Sequence, residues 1–312
     1  MVFPLVSIII PSYNHAQYIE NAIESVLNQT YQNIELIIND DGSSDNTHEV
    51  LKKYIGTARV TIILNQKNRN QAAVLNEAID MAKGDFIGFL PSDDWYLPNK
   101  IELQIKKFES VSDAVGVIYG AGFFYLQESG EMLPTGLKLF KGNILEEMLK
   151  GPFNVFPVTP LFRKNCFSIV RFDETYTAEG EGLYVRLAKY VEFDYVGEVI
   201  AVMRTHTNNF GANIDKMCSE NLRWWPDFFK AQDLPENLRK YKPVMLGRLK
   251  RMYGLEYIIR ANNFRKGCSL LIQAIYEQPA YILDYKVLGG VLLALFPLPT
   301  SIFLVNFYKK WK

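Results

Sequence analysis

The chain has 312 residues, and 34 lysines and arginines balance 34 aspartates and glutamates, so its formal charge is zero. With 48% hydrophobic and 22% charged residues, it carries enough apolar surface to fold, which excludes disorder. It has no overall positive field of the kind that attracts nucleic acid. The length accommodates about two domains.

Three cysteines, at 166, 218 and 268, are widely spaced and odd in number. Neither a disulfide framework nor a thiolate zinc site is expected, and a reducing compartment fits. The histidines are His15, His48 and His206, so a site built of histidines alone would need all of them. The N-terminal run lacks a basic region and a small-residue cleavage site. It is read as a buried strand, Leu5 to Ile10, rather than a secretion signal.

In chain order, that strand ends in the turn cluster Pro11-Ser12-Tyr13-Asn14. Ile19, Ala22, Ile23, Val26 and Leu27 then recur at helical spacing. Glu35 to Asn39 is a second strand, ending in Asp40-Asp41-Gly42-Ser43. Asn46 and Glu49 have the spacing of a capping box opening a helix through Val50, Leu51 and Tyr54. Val60 to Leu64 is a third strand, and Ala72 to Lys83 a helix stopped by Gly84. Phe86 to Leu90 is a fourth strand, ending in Ser92-Asp93-Asp94. Pro98 suits the first turn of a helix through Ile101, Ile105 and Phe108. This alternation predicts a Rossmann-like, doubly wound, mostly parallel α/β sheet. Further on, Val115–Tyr119 and Tyr195–Met203 read as strands and 144–150 as a short helix. From about 213 the chain turns helical and basic.

In an open parallel sheet, ligands sit beyond the carboxyl ends of the strands. Three polar clusters fall there: Ser12-Tyr13-Asn14, Asp40-Asp41 and Asp93-Asp94. One such cluster alone would read as turn chemistry; three on consecutive strand ends point to a site. Converging carboxylates suit a hard divalent cation. A carboxylate about 4 Å from a phosphate charge costs on the order of 4 kcal/mol at an effective dielectric near 20, and a bridging Mg²⁺ or Mn²⁺ reverses the sign. The implied chemistry is metal-assisted handling of a nucleoside diphosphate. Neither the Gly-x-Gly-x-x-Gly of a dinucleotide-binding fold nor a P-loop follows the first strand.

These segments carry a resemblance. Val-Ser-Ile-Ile-Ile-Pro-Ser-Tyr-Asn, Ser-Val-Leu-Asn-Gln-Thr-Tyr, Asn-Asp-Asp-Gly-Ser-Ser-Asp, Ala-Val-Leu-Asn-Glu-Ala-Ile and Gly-Asp-Phe-Ile-Gly-Phe-Leu-Pro-Ser-Asp-Asp, in that order and spacing, resemble family-2 glycosyltransferases of the GT-A fold. The match is close over 5–106 and looser over 155–206. The resemblance implies that 1–110 is a nucleotide-sugar-binding half and 111–212 the acceptor-side half of the same domain; 213–312 reads as a helical, basic and apolar extension that associates with a membrane or forms an interface. It implies that Pro11, Ser12 and Tyr13 line the nucleoside pocket with Tyr13 beside the base, and that Asp41 accepts a hydrogen bond from the base edge. Asp93 and Asp94 would hold the cation on the donor diphosphate. His206 would either close over that diphosphate or cation, or stand as a surface histidine at a strand end.

The family's general base is an aspartate in a Glu-Asp pair before Leu-x-x-Arg-Leu-Ala. Aligned on Arg186-Leu187-Ala188, the glutamate is Glu179 and the base position is Gly180. An acceptor hydroxyl must still lose its proton. Glu181 is the first candidate base, since it reaches one methylene further between flanking glycines, and Glu179 is the second. Pro91 and Asn70 replace a common aspartate and a common glycine. Asparagine tolerates left-handed conformations, so the second exchange is mild.

Residues 239–266 hold Arg239, Lys240, Lys242, Arg248, Lys250, Arg251, Arg260, Arg265 and Lys266 against Glu256 alone. Val287 to Val305 is 19 residues without a charge, about 28 Å as a helix. Pro297 and Pro299 oppose one straight span, which leaves a kinked, re-entrant or interface-lying segment, or else a helix buried on the catalytic domain or in a dimer interface. Lys286, Lys309, Lys310 and Lys312 flank the run, with Tyr308 and Trp311 as interfacial anchors. The expectation is an enzyme, peripheral at the cytoplasmic face of a membrane, that moves sugar with inversion from a nucleotide sugar to a glycan or polyprenyl-linked acceptor. A non-catalytic sugar-nucleotide binder, suggested by Gly180, and a metal-dependent nucleotidyltransferase are the alternatives. Oligomerisation is compatible with the sequence.

Overall fold

The structure, a computed structural model, describes residues 3–151, 155–176, 181–206 and 213–293. The chain divides into two units, residues 1–207 and 208–312.

The first unit is built on β1 (Val6–Ser12), β2 (Ile34–Asp40), β3 (Val60–Leu64) and β4 (Phe86–Phe89), which pair parallel in the order β3-β2-β1-β4. Strands buried on both faces read as continuous apolar runs. Ile8, Ile9 and Ile10 are accordingly fully buried, each contributing roughly 1.5–3 kcal/mol by leaving water. The crossovers are α1 (Ile19–Leu27), α2 (Thr47–Lys52) and α3 (Gln71–Met81), and α4 (Lys100–Glu109) follows β4. The in-register pairs Ser12–Asp40 and Asp40–Leu64 align the carboxyl ends of three strands in one row.

Beyond β4 the sheet becomes mixed. A three-residue strand, β8 (Leu161–Arg163), runs antiparallel between β4 and β6 (Val115–Leu126). β6 then pairs parallel with β9 (Glu192–Thr205), which pairs antiparallel with β5 (Trp95–Tyr96) at the edge, while β7 (Glu131–Pro134) is a hairpin on β6. Both β6 and β9 extend well beyond the sequence expectation, because register shifts after Val115 and around Ala121 interrupt the alternation along them. The short helices α5 (Leu145–Lys150), α6 (Cys166–Ile169) and α7 (Gly182–Leu187) complete the unit.

Two helix starts differ from expectation. Asn46 makes no side-chain cap on α2. The Asp45 carboxylate instead accepts from the Thr47 backbone N–H at 3.0 Å and from the Thr47 hydroxyl, and Glu49 is drawn to Lys52 at 2.7 Å. Pro98 precedes α4 instead of lying inside its first turn, and its carbonyl accepts from the Thr30 backbone N–H at 2.9 Å.

Lys100, at the start of α4, is fully buried. Its Nζ donates to Gln104 Oε1 at 2.6 Å and lies 4.2 Å from the centre of the Tyr96 ring. Burial holds this ammonium well below the ordinary lysine pKa. Between that lowered value and the unfolded value of about 10.4, the unfolded chain binds a proton that the folded chain does not, so stability rises with pH in that window. Urea melts between pH 8.5 and 10 should therefore show a slope more positive in the wild type than in Lys100→Met, by up to about 1.4 kcal/mol per pH unit. Equal slopes would mean that this lysine is charged in the fold.

The second unit consists of α8 (Ile214–Phe228), α9 (Lys242–Ile259), α10 (Phe264–Glu277) and α11 (Tyr285–Leu293). α9 and α10 approach at Gly254 and Gly267: a Cβ on Gly267 would lie 2.7 Å from the Gly254 carbonyl oxygen, so neither position has room for a side chain. Five of the nine basic residues at 239–266 pair with carboxylates: Arg239 with Glu236, Lys250 with Glu277, Arg251 with Asp284, Arg260 with Glu256 and Lys266 with Asp215. Most of that positive charge is thus compensated locally. Among the described residues no helix is long and apolar enough to cross a membrane. Residues 294–305 of the apolar run lie outside the described residues.

Candidate active site

The carboxyl ends of β1 and β2 are stapled together. The Asp41 N–H donates to the Ser12 carbonyl at 2.8 Å. Asn14, at φ 53°, turns its side-chain oxygen to accept from the Ser44 N–H at 2.8 Å. Asp40, fully buried, accepts from the Ser43 N–H and hydroxyl and is bonded to His48 Nε2, all within 2.8 Å. Asp41 accepts from the backbone N–H groups of Arg69 at 2.8 Å and Asn70 at 3.2 Å. It thereby fixes the loop into α3, and a nucleobase edge would have to use its remaining lone pairs. Asn70 has φ 108°, which accounts for a glycine being common there. Its oxygen caps the Ala72 N–H at 2.9 Å, and its amide nitrogen donates to the carbonyls of Glu174 and Tyr176, each at 3.1 Å. One side chain thus ties the loop into α3 to the segment that leads towards residues 179–181.

Ser12 is buried, and among the described residues its hydroxyl oxygen has no hydrogen-bond partner. An orphaned buried polar atom in such a position signals a missing ligand or water. Tyr13 beside it is 46% exposed, as an aromatic ring that stacks on an arriving base needs to be. Pro11 is half-buried at the end of β1.

The antiparallel pairing of Trp95 with Val202 and Tyr96 with Ala201, continued two residues, brings Arg204 opposite Asp93. The Arg204 N–H donates to Asp94 Oδ1 at 2.7 Å, and its Nε–H donates to the Asp93 carbonyl at 3.0 Å. The guanidinium lies 4.9–5.2 Å from the ring centres of Tyr18, Trp95 and Tyr125. Arg204 is therefore a clamp on the acidic turn, held by aromatic faces. Its place is set by the β5–β9 register, which the sequence does not reveal.

The same register delivers His206, whose Nε2 lies 3.1 Å from Asp93 Oδ2, both side chains being buried. His15, from the turn after β1, completes the group: one ligand atom from each of His15, Asp93 and His206 lies within 4.8 Å of the others. Burial holds the His15 imidazole below its ordinary pKa, with Asp93 partly opposing the shift. The Asp94 carboxyl is raised, first by burial and then by the neighbouring Asp93. The sequence-predicted set Asp93, Asp94 and His206 is thus distributed differently: Asp93 and His206 converge with His15, while one oxygen of Asp94 is committed to the Arg204 backbone. His15 escaped prediction, although its position just beyond β1, the neighbour of β4, is a signal for it.

Two imidazoles and a carboxylate form a mixed nitrogen–oxygen donor set that a divalent transition ion fits. Glu181 caps the start of α7 and is half-buried. α7 is fixed by Tyr184, whose hydroxyl donates to the Pro157 carbonyl at 3.0 Å and whose ring stacks on Phe162 of β8. Glu179 and Gly180 lie outside the described residues.

The mixed, parallel-rich sheet is that of the GT-A type glycosyltransferase fold, which solved structures share. Staphylococcus aureus TarS 1-349 in complex with UDP-GlcNAc superposes with TM-score 0.64 at 16% identity, covering 93% of this chain and 90% of that one. Mannosyltransferase PcManGT of Pyrobaculum calidifontis, in complex with GDP-Man and Mn²⁺, gives 0.61 at 16% identity, covering 97% and 84%. The profile of glycosyl transferase family 2 matches residues 7–166, and the chain belongs to that family. Chondroitin synthase of Pasteurella multocida (strain Pm70) is 46% identical over 105 residues, which is 34% of this chain but only 11% of the synthase. An uncharacterized glycosyltransferase of Rickettsia typhi is 28% identical over 306 residues, 92% of this chain and 87% of that protein.

Proposed function

We propose that this glycosyltransferase moves a sugar, with inversion at the anomeric carbon, from a nucleoside-diphosphate sugar to a hydroxyl of a lipid-linked glycan in surface polysaccharide assembly. The observation that carries the donor half is the buried Asp93 grouped with two imidazoles at the carboxyl ends of the strands, where β1 also ends in the buried Ser12 and the exposed Tyr13. UDP-GlcNAc in the TarS complex and GDP-Man with Mn²⁺ in the mannosyltransferase complex support the same class of donor. Pro11, Ser12, Tyr13 and Asp41 would bind the nucleoside. Asp93 and His206 would hold a divalent cation, Mn²⁺ or Mg²⁺, with Asp94 supporting the turn through Arg204. A bound cation supplies positive charge to the departing diphosphate. Glu181 would take the acceptor proton, with Glu179 as the second candidate.

The test is release of nucleoside diphosphate from UDP-GlcNAc, UDP-Glc and GDP-Man with polyprenyl-linked acceptor, with and without MnCl₂. Acceptor-dependent release that needs the cation supports the proposal. Donor binding without turnover would leave the non-catalytic reading that Gly180 suggests, and pyrophosphate release when a nucleoside triphosphate and a sugar 1-phosphate are supplied instead would make the chain a nucleotidyltransferase.

The lipid side of the proposal rests on apolar exposure in the second unit. Tyr276 is 86%, Leu283 85% and Tyr285 71% exposed, with Ile282 and Leu292 over half exposed, and the uncharged run from Val287 to Val305 adjoins them in sequence. Such a surface suits the headgroup–acyl boundary of a bilayer. Co-sedimentation with phosphatidylglycerol-containing vesicles should fall at least about fivefold in a Leu283→Ser/Tyr285→Ser double variant; unchanged sedimentation rules this surface out as the contact.

A further inference from the structure

We propose that His15 is a third protein ligand of the donor cation, and that it tilts the site towards Mn²⁺ over Mg²⁺. This rests on the proposed function, since it assigns a new ligand to the same cation. His15 lies in the turn after β1, far in sequence from Asp93 and His206, yet its ligand atom falls within 4.8 Å of theirs. Adjacent ligands of one octahedral ion at about 2.2 Å are about 3 Å apart and opposite ones about 4.4 Å, so the three atoms close on a common ion with small side-chain movement.

The ring is held as metal-ligating imidazoles are held, by a hydrogen bond on the other nitrogen. His15 Nδ1 is bonded to Ser92 Oγ at 2.8 Å, and Ser92 is itself buried. This leaves Nε2 as the nitrogen to offer. The His15 backbone N–H donates to Thr47 Oγ1 at 3.1 Å, and Thr47 is fully buried. The rings of Tyr18 and His206 pack edge-on against the imidazole at 5.7 and 6.0 Å. Position and orientation are thus fixed from the turns after β1 and β4 and from the start of α2. A histidine serving only to tie the turn to Ser92 would not need its ligand atom in the group that contains Asp93 and His206.

Cation preference follows from the donor types. Mg²⁺ demands near-ideal oxygen coordination and gives up water reluctantly, whereas imidazole nitrogen is a good ligand for first-row transition ions. A second imidazole therefore strengthens Mn²⁺ binding much more than Mg²⁺ binding.

The experiment is Mn²⁺ binding to the full chain, followed by electron paramagnetic resonance of free Mn²⁺ and by Mg²⁺ competition, in the wild type and in His15→Ala, His15→Asn and Asp93→Asn. The expected result is Mn²⁺ affinity ~10–100-fold weaker in both His15 variants. Mg²⁺ affinity should stay within about twofold, and Asp93→Asn should bind neither ion measurably. Thermal melts identify a variant that has lost its fold, and His15→Asn retains a polar group for Ser92. If the His15 variants bind Mn²⁺ as the wild type does while Asp93→Asn does not, His15 is no ligand and the cation site itself stands. If the wild type binds no Mn²⁺, the metal reading falls and His15 with it.

Discussion

Asp93→Asn should lower sugar transfer by about three orders of magnitude or more at saturating Mn²⁺, a barrier increase of about 4 kcal/mol. The carboxylate is 7% exposed and lies against His206. Asparagine keeps its volume and one oxygen but removes the charge that faces a divalent ion. The fold should survive. Asparagine also keeps an oxygen beside His206 Nε2, so a melting temperature close to that of the wild type is expected alongside the lost activity. Steady-state kinetics against Mn²⁺ concentration checks the activity, and a thermal melt checks the fold. Turnover within tenfold of the wild type, with normal Mn²⁺ dependence, would remove Asp93 from the centre of the site.

Glu181→Gln should lower turnover by ~10²–10⁴-fold and leave donor affinity unchanged, because the amide cannot accept the acceptor proton while the proposed nucleoside pocket lies on β1 and β2. Glu181 stands at the N-cap of α7, and a thermal melt of Glu181→Gln separates lost chemistry from lost stability. Glu179→Gln is the matched control. If it, and not Glu181→Gln, abolishes transfer with donor binding intact, the base is Glu179. Single-turnover transfer and donor titration calorimetry separate the two quantities.

The parallel half of the sheet was legible in the sequence for a physical reason. Strands such as Val6–Ser12 and Phe86–Phe89 are buried on both faces and read as unbroken apolar runs. The later strands were not legible at their true extent. β8 has three residues, fewer than a periodicity can mark, and the pairing of β6 with β9 carries register shifts at Val115, Gly120 and Ala121. The capping residue of α2 was misplaced because Asp45 and Asn46 are both good caps and only the turn geometry chooses between them.

The site divides along the same line. Asp93 stands in an acidic cluster at a strand end that the sequence displays, whereas His206 was singled out only by the family resemblance. His15 and Arg204 were not singled out, because their proximity to the acidic turn is made by topology. β1 lies beside β4, so His15 reaches Ser92 across 77 residues. The β5–β9 register sets Arg204 against Asp93 and Asp94. No local pattern records either contact. The basic stretch at 239–266 shows the converse: its charge was legible, but its carboxylate partners, Asp215, Glu277 and Asp284, lie outside the window in which the charge was counted.

The most direct measurement is anomalous diffraction at the manganese edge from crystals of the full chain soaked with MnCl₂ and UDP or GDP. The account predicts one strong peak at about 2.2 Å from an Asp93 carboxylate oxygen, with the diphosphate on its open side and the nucleoside over Ser12 and Tyr13. A nucleotide bound there with no manganese beside Asp93, or a manganese held elsewhere on the chain, would contradict it.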